Sequence, residues 1–116
     1  RNCVCFSVDA LIVLPTSCDP YLRRSVRNSM GNIFLLPIVY LSDDRHLKGD
    51  GHLYHEEIKK LKQCGIKFYA AHPDSKSIDF REAKFAEKSC IVLGAEGHGI
   101  SREVLDGKVS RFGFRN

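Results

Sequence analysis

An α/β fold built on a mostly parallel sheet is what this sequence predicts, and three observations predict it. Apolar runs of strand length recur at residues 10–15, 33–41, 66–71 and 90–93. Runs without polar alternation suit strands buried on both faces, as in a parallel sheet. Between them lie segments with helical spacing and recognisable ends, giving the order strand, helix, strand, helix, strand, with flanking helices on the sheet. A glycine-rich stretch, Leu93-Gly94-Ala95-Glu96-Gly97-His98-Gly99-Ile100, follows directly on the last of these runs. That is where α/β sheets place their ligand loops.

Taken in order, residues 10–14 closed by Pro15 make the first strand. Asp19 and Pro20 supply an N-cap and first-turn pair for a helix over 21–30, with Leu22, Val26 and Met30 spaced by four and Gly31 as the stop. Residues 33–41 predict a second strand interrupted at Pro37, which cannot donate to a ladder. Polar residues 42–51 read as a surface loop, and Ile58, Leu61 and Gly65 define a helix over 54–63. Residues 66–71 are the third strand. The charged, weakly periodic residues 74–88 read as a loop with at most a short helical turn. Residues 90–93 are the fourth strand, 100–105 a short helix opened near Ser101, and 109–114 the start of a last strand. At 116 residues the chain suits one domain, 1–116, with a single core.

Composition excludes several classes. Hydrophobic residues at 43% and charged residues at 28% are those of a globular chain, not a disordered or fibrous one. No apolar run approaches the roughly 20 residues needed to cross a bilayer, and no basic-then-apolar leader opens the chain. The expectation is a soluble, cytoplasmic or otherwise intracellular protein with no membrane partner, and Arg1 in place of Met is expected to mark the edge of a longer protein. The five cysteines, Cys3, Cys5, Cys18, Cys64 and Cys90, are odd in number and lack CxxC spacing, which predicts reduced thiols. Asp50, His52 and His55 lie close in sequence, but no cysteine pair is within ligand spacing of them, so no metal is expected. The net charge of +4, from 18 basic and 14 acidic residues, favours an anionic partner without requiring one.

Three segments are candidates for chemistry. Gly94, Gly97 and Gly99 follow a strand end, and glycines there either cap it with a tight turn or let a ligand approach main-chain amides. The order Gly-x-x-Gly-x-Gly matches neither the dinucleotide fingerprint nor a P-loop. Glu96 opposes a phosphate but tolerates a cationic ligand such as a sulfonium. On the helix over 21–30, Arg23, Arg24 and Arg27 lie opposite Leu22, Val26 and Met30, either as a solvated face or as phosphate forks for RNA. His98 alone is weak evidence for a general base, and Lys59, Lys60 and Lys62 read as a solvated face.

With these residues in view, the chain resembles the SpoU, or TrmH-type, RNA ribose 2′-O-methyltransferases of the SPOUT superfamily. Arg1-Asn2 with residues 6–9 is similar to the latter half of the family's first motif. Asp19-Pro20-Tyr21 with residues 25–31 resembles the block that follows, and residues 93–100, continued by 101–105, resemble the second motif. The resemblance implies an α/β trefoil-knot fold with S-adenosylmethionine bound bent at a homodimer interface, and methyl transfer to a ribose 2′-hydroxyl of tRNA or rRNA. It implies catalytic roles for Arg1 and Glu96 and an RNA substrate, for which Arg23, Arg24 and Arg27 on the helix face are the candidate phosphate contacts. Cofactor contacts are implied for Tyr69, Ala70, Ala71, Leu93, Gly94, Gly97, Gly99, Ile100 and Phe114, the last where the third motif should begin.

Two departures bear on that expectation. The first-motif asparagine would precede Arg1, and the third-motif Pro-Met and Ser-Leu-Asn residues do not follow Phe114. The residues as given are therefore expected to leave the knot and cofactor pocket incomplete and to be inactive alone. The competing reading is an inactive RNA-binding or dimerisation module on the same scaffold.

Overall fold

The computed structural model of the chain describes residues 1–41, 55–107 and 109–113. It divides into two compact units, residues 1–58 and 59–116.

The first unit opens with a one-turn helix, α1 (Asn2–Cys5), which its sequence does not announce. Strand β1 (Leu11–Val13) pairs in parallel with β2 (Ile38–Tyr40), Leu11 opposite Ile38 and Val13 opposite Tyr40. Between them lies α2, which is shorter than its predicted span and covers Arg23–Asn28. The reason is local. The Asp19 carboxylate accepts the Tyr21 N–H at 3.0 Å, closing a turn before the helix instead of capping it, and the extended backbone of Leu22 (ψ 142°) starts α2 one residue later. The helix also stops early, at Asn28 with Ser29 as its C-cap, while Met30 and Gly31 beyond it turn left-handed at φ 54° and 80°.

The expected apolar stripe is not a core stripe among the described residues, since Leu22 and Met30 are 53% and 72% exposed. Pro37 divides the second apolar run as expected. However, its first half is a 3-10 turn over Asn32–Leu35 that buries Ile33, and only the residues after the proline join the ladder.

Helix α3 (His55–Gln63) carries the second apolar pattern and ends at Gly65, whose φ of 87° lets the Ile66 N–H return to the Leu61 carbonyl at 3.3 Å. The second unit holds a four-stranded parallel sheet in the order β4–β6–β3–β5. Its strands are β3 (Lys67–Ala71), β4 (Ile78–Asp79), β5 (Ser89–Val92) and β6 (Ser110–Gly113). The two-residue β4 lies within the segment expected to be loop. It has no apolar run to announce it, and only its pairing with Phe112 and Gly113 makes it a strand.

Ala70, fully buried, packs with Ile100 and with Leu105 of α4 (Arg102–Asp106), flanked by Val92, Val104 and Val109. This is the second unit's core. The fold class is the expected α/β with parallel strands, although in the described residues those strands form two sheets instead of one. The loop predicted over 42–51, Tyr54, the last-strand residue Phe114, and Asp50 and His52 lie outside the described residues.

Candidate functional site

Because every pairing in the four-stranded sheet is parallel, its strand ends share one edge. Register places Ala70 beside Val92, Ala71 beside Phe112, and Asp79 beside Gly113. The residues that leave β3, β5 and β6 therefore meet at the carboxyl edge, where α/β sheets receive ligands. Leu93 stands there 76% exposed, an apolar side chain with little packed over it.

The glycine stretch continues from Leu93 and folds back on itself. The Ala95 N–H donates to the Gly99 carbonyl at 3.2 Å, and the Gly99 N–H donates to the Ala95 carbonyl at 2.7 Å. Gly99 has φ 67°, and a methyl group on Gly94 would stand 2.3 Å from the Gly99 carbonyl carbon and 2.4 Å from the Ile100 nitrogen. Both glycines are thus required by the loop's own shape. Gly97 is not, because a methyl group there would meet nothing within 4 Å. It sits at an exposed tip with Glu96 and His98. The arrangement presents main-chain groups and one carboxylate to solvent beside an apolar strand end.

The neighbouring candidates divide by burial. Ala70 and Ile100 belong to the core, and Tyr69 is 8% exposed. The Tyr69 hydroxyl accepts the Ala86 N–H at 2.9 Å, and its ring meets Phe85 edge-on at 4.9 Å, which in turn meets Phe112 at 5.2 Å. These side chains build the platform; Ala71, Leu93 and the residue 94–99 backbone form its accessible rim.

Sequence reasoning passed over a polar network on the same edge. Arg111 of β6 donates to Asp74 Oδ2 at 2.6 Å and to the Leu105 carbonyl at 3.2 Å, tying the segment after β3 to the end of α4. The Lys76 N–H and then the Arg111 guanidinium hold the Asp74 carboxyl below the usual carboxylate range. Asp79 is 6% exposed and accepts from the Arg81 backbone and guanidinium at 2.9 to 3.0 Å. The Asp-x-Arg spacing was the only signal available for that local pair.

In the first unit, Arg1 borders a hollow of about 210 Å³ together with Ser25, Ser29 and Asn32. The resemblance drew Arg1 from one sequence block and Ser25 and Ser29 from another, and the fold brings them together around this hollow. Arg23, Arg24 and Arg27 line an open hollow of about 630 Å³ with Asn28 and are exposed. Glu96 belongs to the second unit.

Residues 1–111 match the model of the SpoU rRNA Methylase family. The chain belongs to the SpoU rRNA methylase family. An uncharacterized tRNA/rRNA methyltransferase of Mycobacterium tuberculosis is 34% identical over 109 residues, 90% of this chain and 34% of the relative. A tRNA (guanosine(18)-2′-O)-methyltransferase of Escherichia coli is 34% identical over 50 residues, 43% of this chain and 22% of the relative. This SpoU-family chain thus spans about a third or less of these relatives.

The same fold is present in a TrmH-family protein of Porphyromonas gingivalis, at a TM-score of 0.80 and 24% identity over all of this chain and 43% of that one. An AdoMet-bound rRNA methyltransferase of Sinorhizobium meliloti also scores 0.80, at 19% identity over all of this chain and 40% of that one. Among the described residues no helix is long and apolar enough to cross a membrane.

Proposed function

We propose that the protein transfers a methyl group from S-adenosylmethionine to a ribose 2′-hydroxyl of tRNA or rRNA, with residues 1–116 belonging to one catalytic domain that works as a homodimer. The observation that carries this reading is the exposed 93–99 rim at the carboxyl edge of a parallel sheet, in a chain whose family match runs through that loop. The residues present fit the cofactor's chemistry. Leu93 and Ala71 offer apolar contact, the loop backbone offers hydrogen bonds, and the Glu96 carboxylate tolerates a sulfonium where it would repel a phosphate.

When bound, the cofactor supplies an electrophilic methyl group on a cationic sulfur. Leu93, Gly94, Gly97 and Gly99 hold it in this reading, and the buried Tyr69, Ala70 and Ile100 keep the rim in place. The Arg1 guanidinium offers donors and no acceptor, so its part is to orient the target phosphate and stabilise the oxyanion as the hydroxyl loses its proton. Arg23, Arg24 and Arg27 bind the RNA backbone. The knotted arrangement implied by the family resemblance belongs to the same proposal, as does Phe114 as a cofactor contact.

The test is transfer of tritiated methyl from S-adenosylmethionine to total tRNA and rRNA, followed by nuclease digestion and nucleoside chromatography. Label on 2′-O-methyl nucleosides is the expected result. Label on a base would overturn the ribose assignment. RNA binding without transfer would favour the inactive module.

A further inference from the structure

Tyr21 lies two residues before the start of α2, and its ring centroid is 6.4 Å from that of Phe34, the planes tilted by 38°. Neither ring is enclosed, since Tyr21 keeps 47% and Phe34 71% of its surface exposed. A third ring, Tyr40 at the end of β2, is also half exposed. Its hydroxyl donates to Asp19 Oδ1 at 3.0 Å, the same oxygen that accepts the Tyr21 N–H. One carboxylate therefore fixes the backbone of Tyr21 and the tip of Tyr40. Two residues beyond Tyr21 begin the three arginines, Arg23, Arg24 and Arg27, that border the open hollow on α2.

Exposed rings, one of them two residues along the chain from three exposed arginines, select a partner by its chemistry. Such a partner needs flat π faces for the rings and anionic groups for the arginines. Unpaired RNA offers both, because its bases are free to stack on aromatic side chains while the phosphates track a basic surface. Duplex RNA offers the phosphates but keeps its bases inside the helix. An apolar protein surface would match the rings and leave three cations facing it.

We infer that Tyr21 and Phe34 form a stacking platform for unpaired bases of the RNA substrate, with Arg23, Arg24 and Arg27 neutralising the adjoining phosphates. The inference rests on the reading of the protein as one that acts on RNA, and it narrows the substrate to a single-stranded segment.

The experiment measures binding of the whole protein to dye-labelled oligouridylate and to a blunt RNA duplex of equal length, across a salt series. Tyr21→Leu and Phe34→Leu keep an apolar side chain but remove the π face. Each is expected to weaken oligouridylate binding about tenfold, the scale of one base stacked on an aromatic ring, and to leave duplex binding and the salt slope unchanged. Tyr21→Phe and Phe34→Tyr should retain binding. Replacing the three arginines should instead flatten the salt slope by about 2 for the single strand. The sequence contains no tryptophan and four tyrosines, so quenching of tyrosine emission by oligouridylate in the wild type, reduced in Tyr21→Leu, is a second readout.

Wild-type binding of oligouridylate with no loss in either leucine variant would overturn the platform while leaving the RNA reading intact. Equal losses for single strand and duplex would also overturn it. Loss of self-association on sedimentation with unchanged RNA affinity would assign the rings to an interface between copies. A wild type that binds neither RNA would overturn both readings.

Discussion

Two glycines three residues apart in the same loop carry opposite expectations. Gly94 has the Gly99 and Ile100 backbone where a methyl group would go, and backbone cannot move aside as a flexible side chain can. Gly94→Ala is therefore expected to destabilise the protein by about 1–3 kcal/mol, the usual scale of overpacking, read as a fall in thermal midpoint. Gly97→Ala meets open space and should unfold with the wild type. If the tip holds the cofactor, the same variant weakens S-adenosylmethionine binding by calorimetry, and unchanged affinity would remove Gly97 from the site. The exposed Glu96 separates stability from chemistry in the same way. Glu96→Ala should shift stability by no more than about 0.5 kcal/mol, as surface substitutions do; under the proposed function, with Glu96 a catalytic group, it should also lower methyl transfer by about a hundredfold.

At the scale of elements, the segment between β3 and β4 is held by Asp74 reaching the Lys76 N–H and Arg111. Its carboxyl is held below the usual range, so the folded state stays ionised at pH values where the unfolded chain begins to take up protons. The resulting stabilisation is present above the ordinary carboxylate range and is lost as pH falls through the depressed value. Asp74→Asn should accordingly lower the thermal midpoint at neutral pH, with the gap to wild type closing in acid. A gap that is constant with pH would show that the carboxylate's charge is not what matters.

At the scale of the whole molecule, the buried apolar residues among those described are few: Val13 and Ile33 in the first unit, and Phe68, Ala70, Ile100, Leu105 and Phe112 with Tyr69 in the second. A fold with so little interior gains proportionately from anything that binds the native state alone. Under the proposed function, S-adenosylmethionine at a hundred times its dissociation constant adds about 2.7 kcal/mol. The thermal midpoint should rise with cofactor concentration, and a midpoint indifferent to it would count against the carboxyl-edge site.

Much of this protein is determined by its sequence alone. Unbroken apolar runs, the helix stop at Gly65, the left-handed turn at Gly31 and the ladder break at Pro37 are local effects, set by side-chain hydrophobicity and backbone φ, and they place α3, β1, β3, β5 and the glycine loop within a residue or two of their observed ends. Other features were decided by contacts distant in the chain. The two residues of β4 become a strand only because Phe112 and Gly113 lie beside them. Asp19 turned from helix cap to turn brace because Tyr21 and Tyr40 both reach it, and Asp74 found Arg111 across 37 positions of sequence. Periodicity cannot register such pairings, because their energy comes from groups brought together by the folded chain. The glycine run likewise left a turn and a ligand loop as equal possibilities. Tertiary structure assigned Gly94 and Gly99 to the turn and left Gly97 at an open tip, because only the folded backbone reveals which missing side chain leaves room and which would collide.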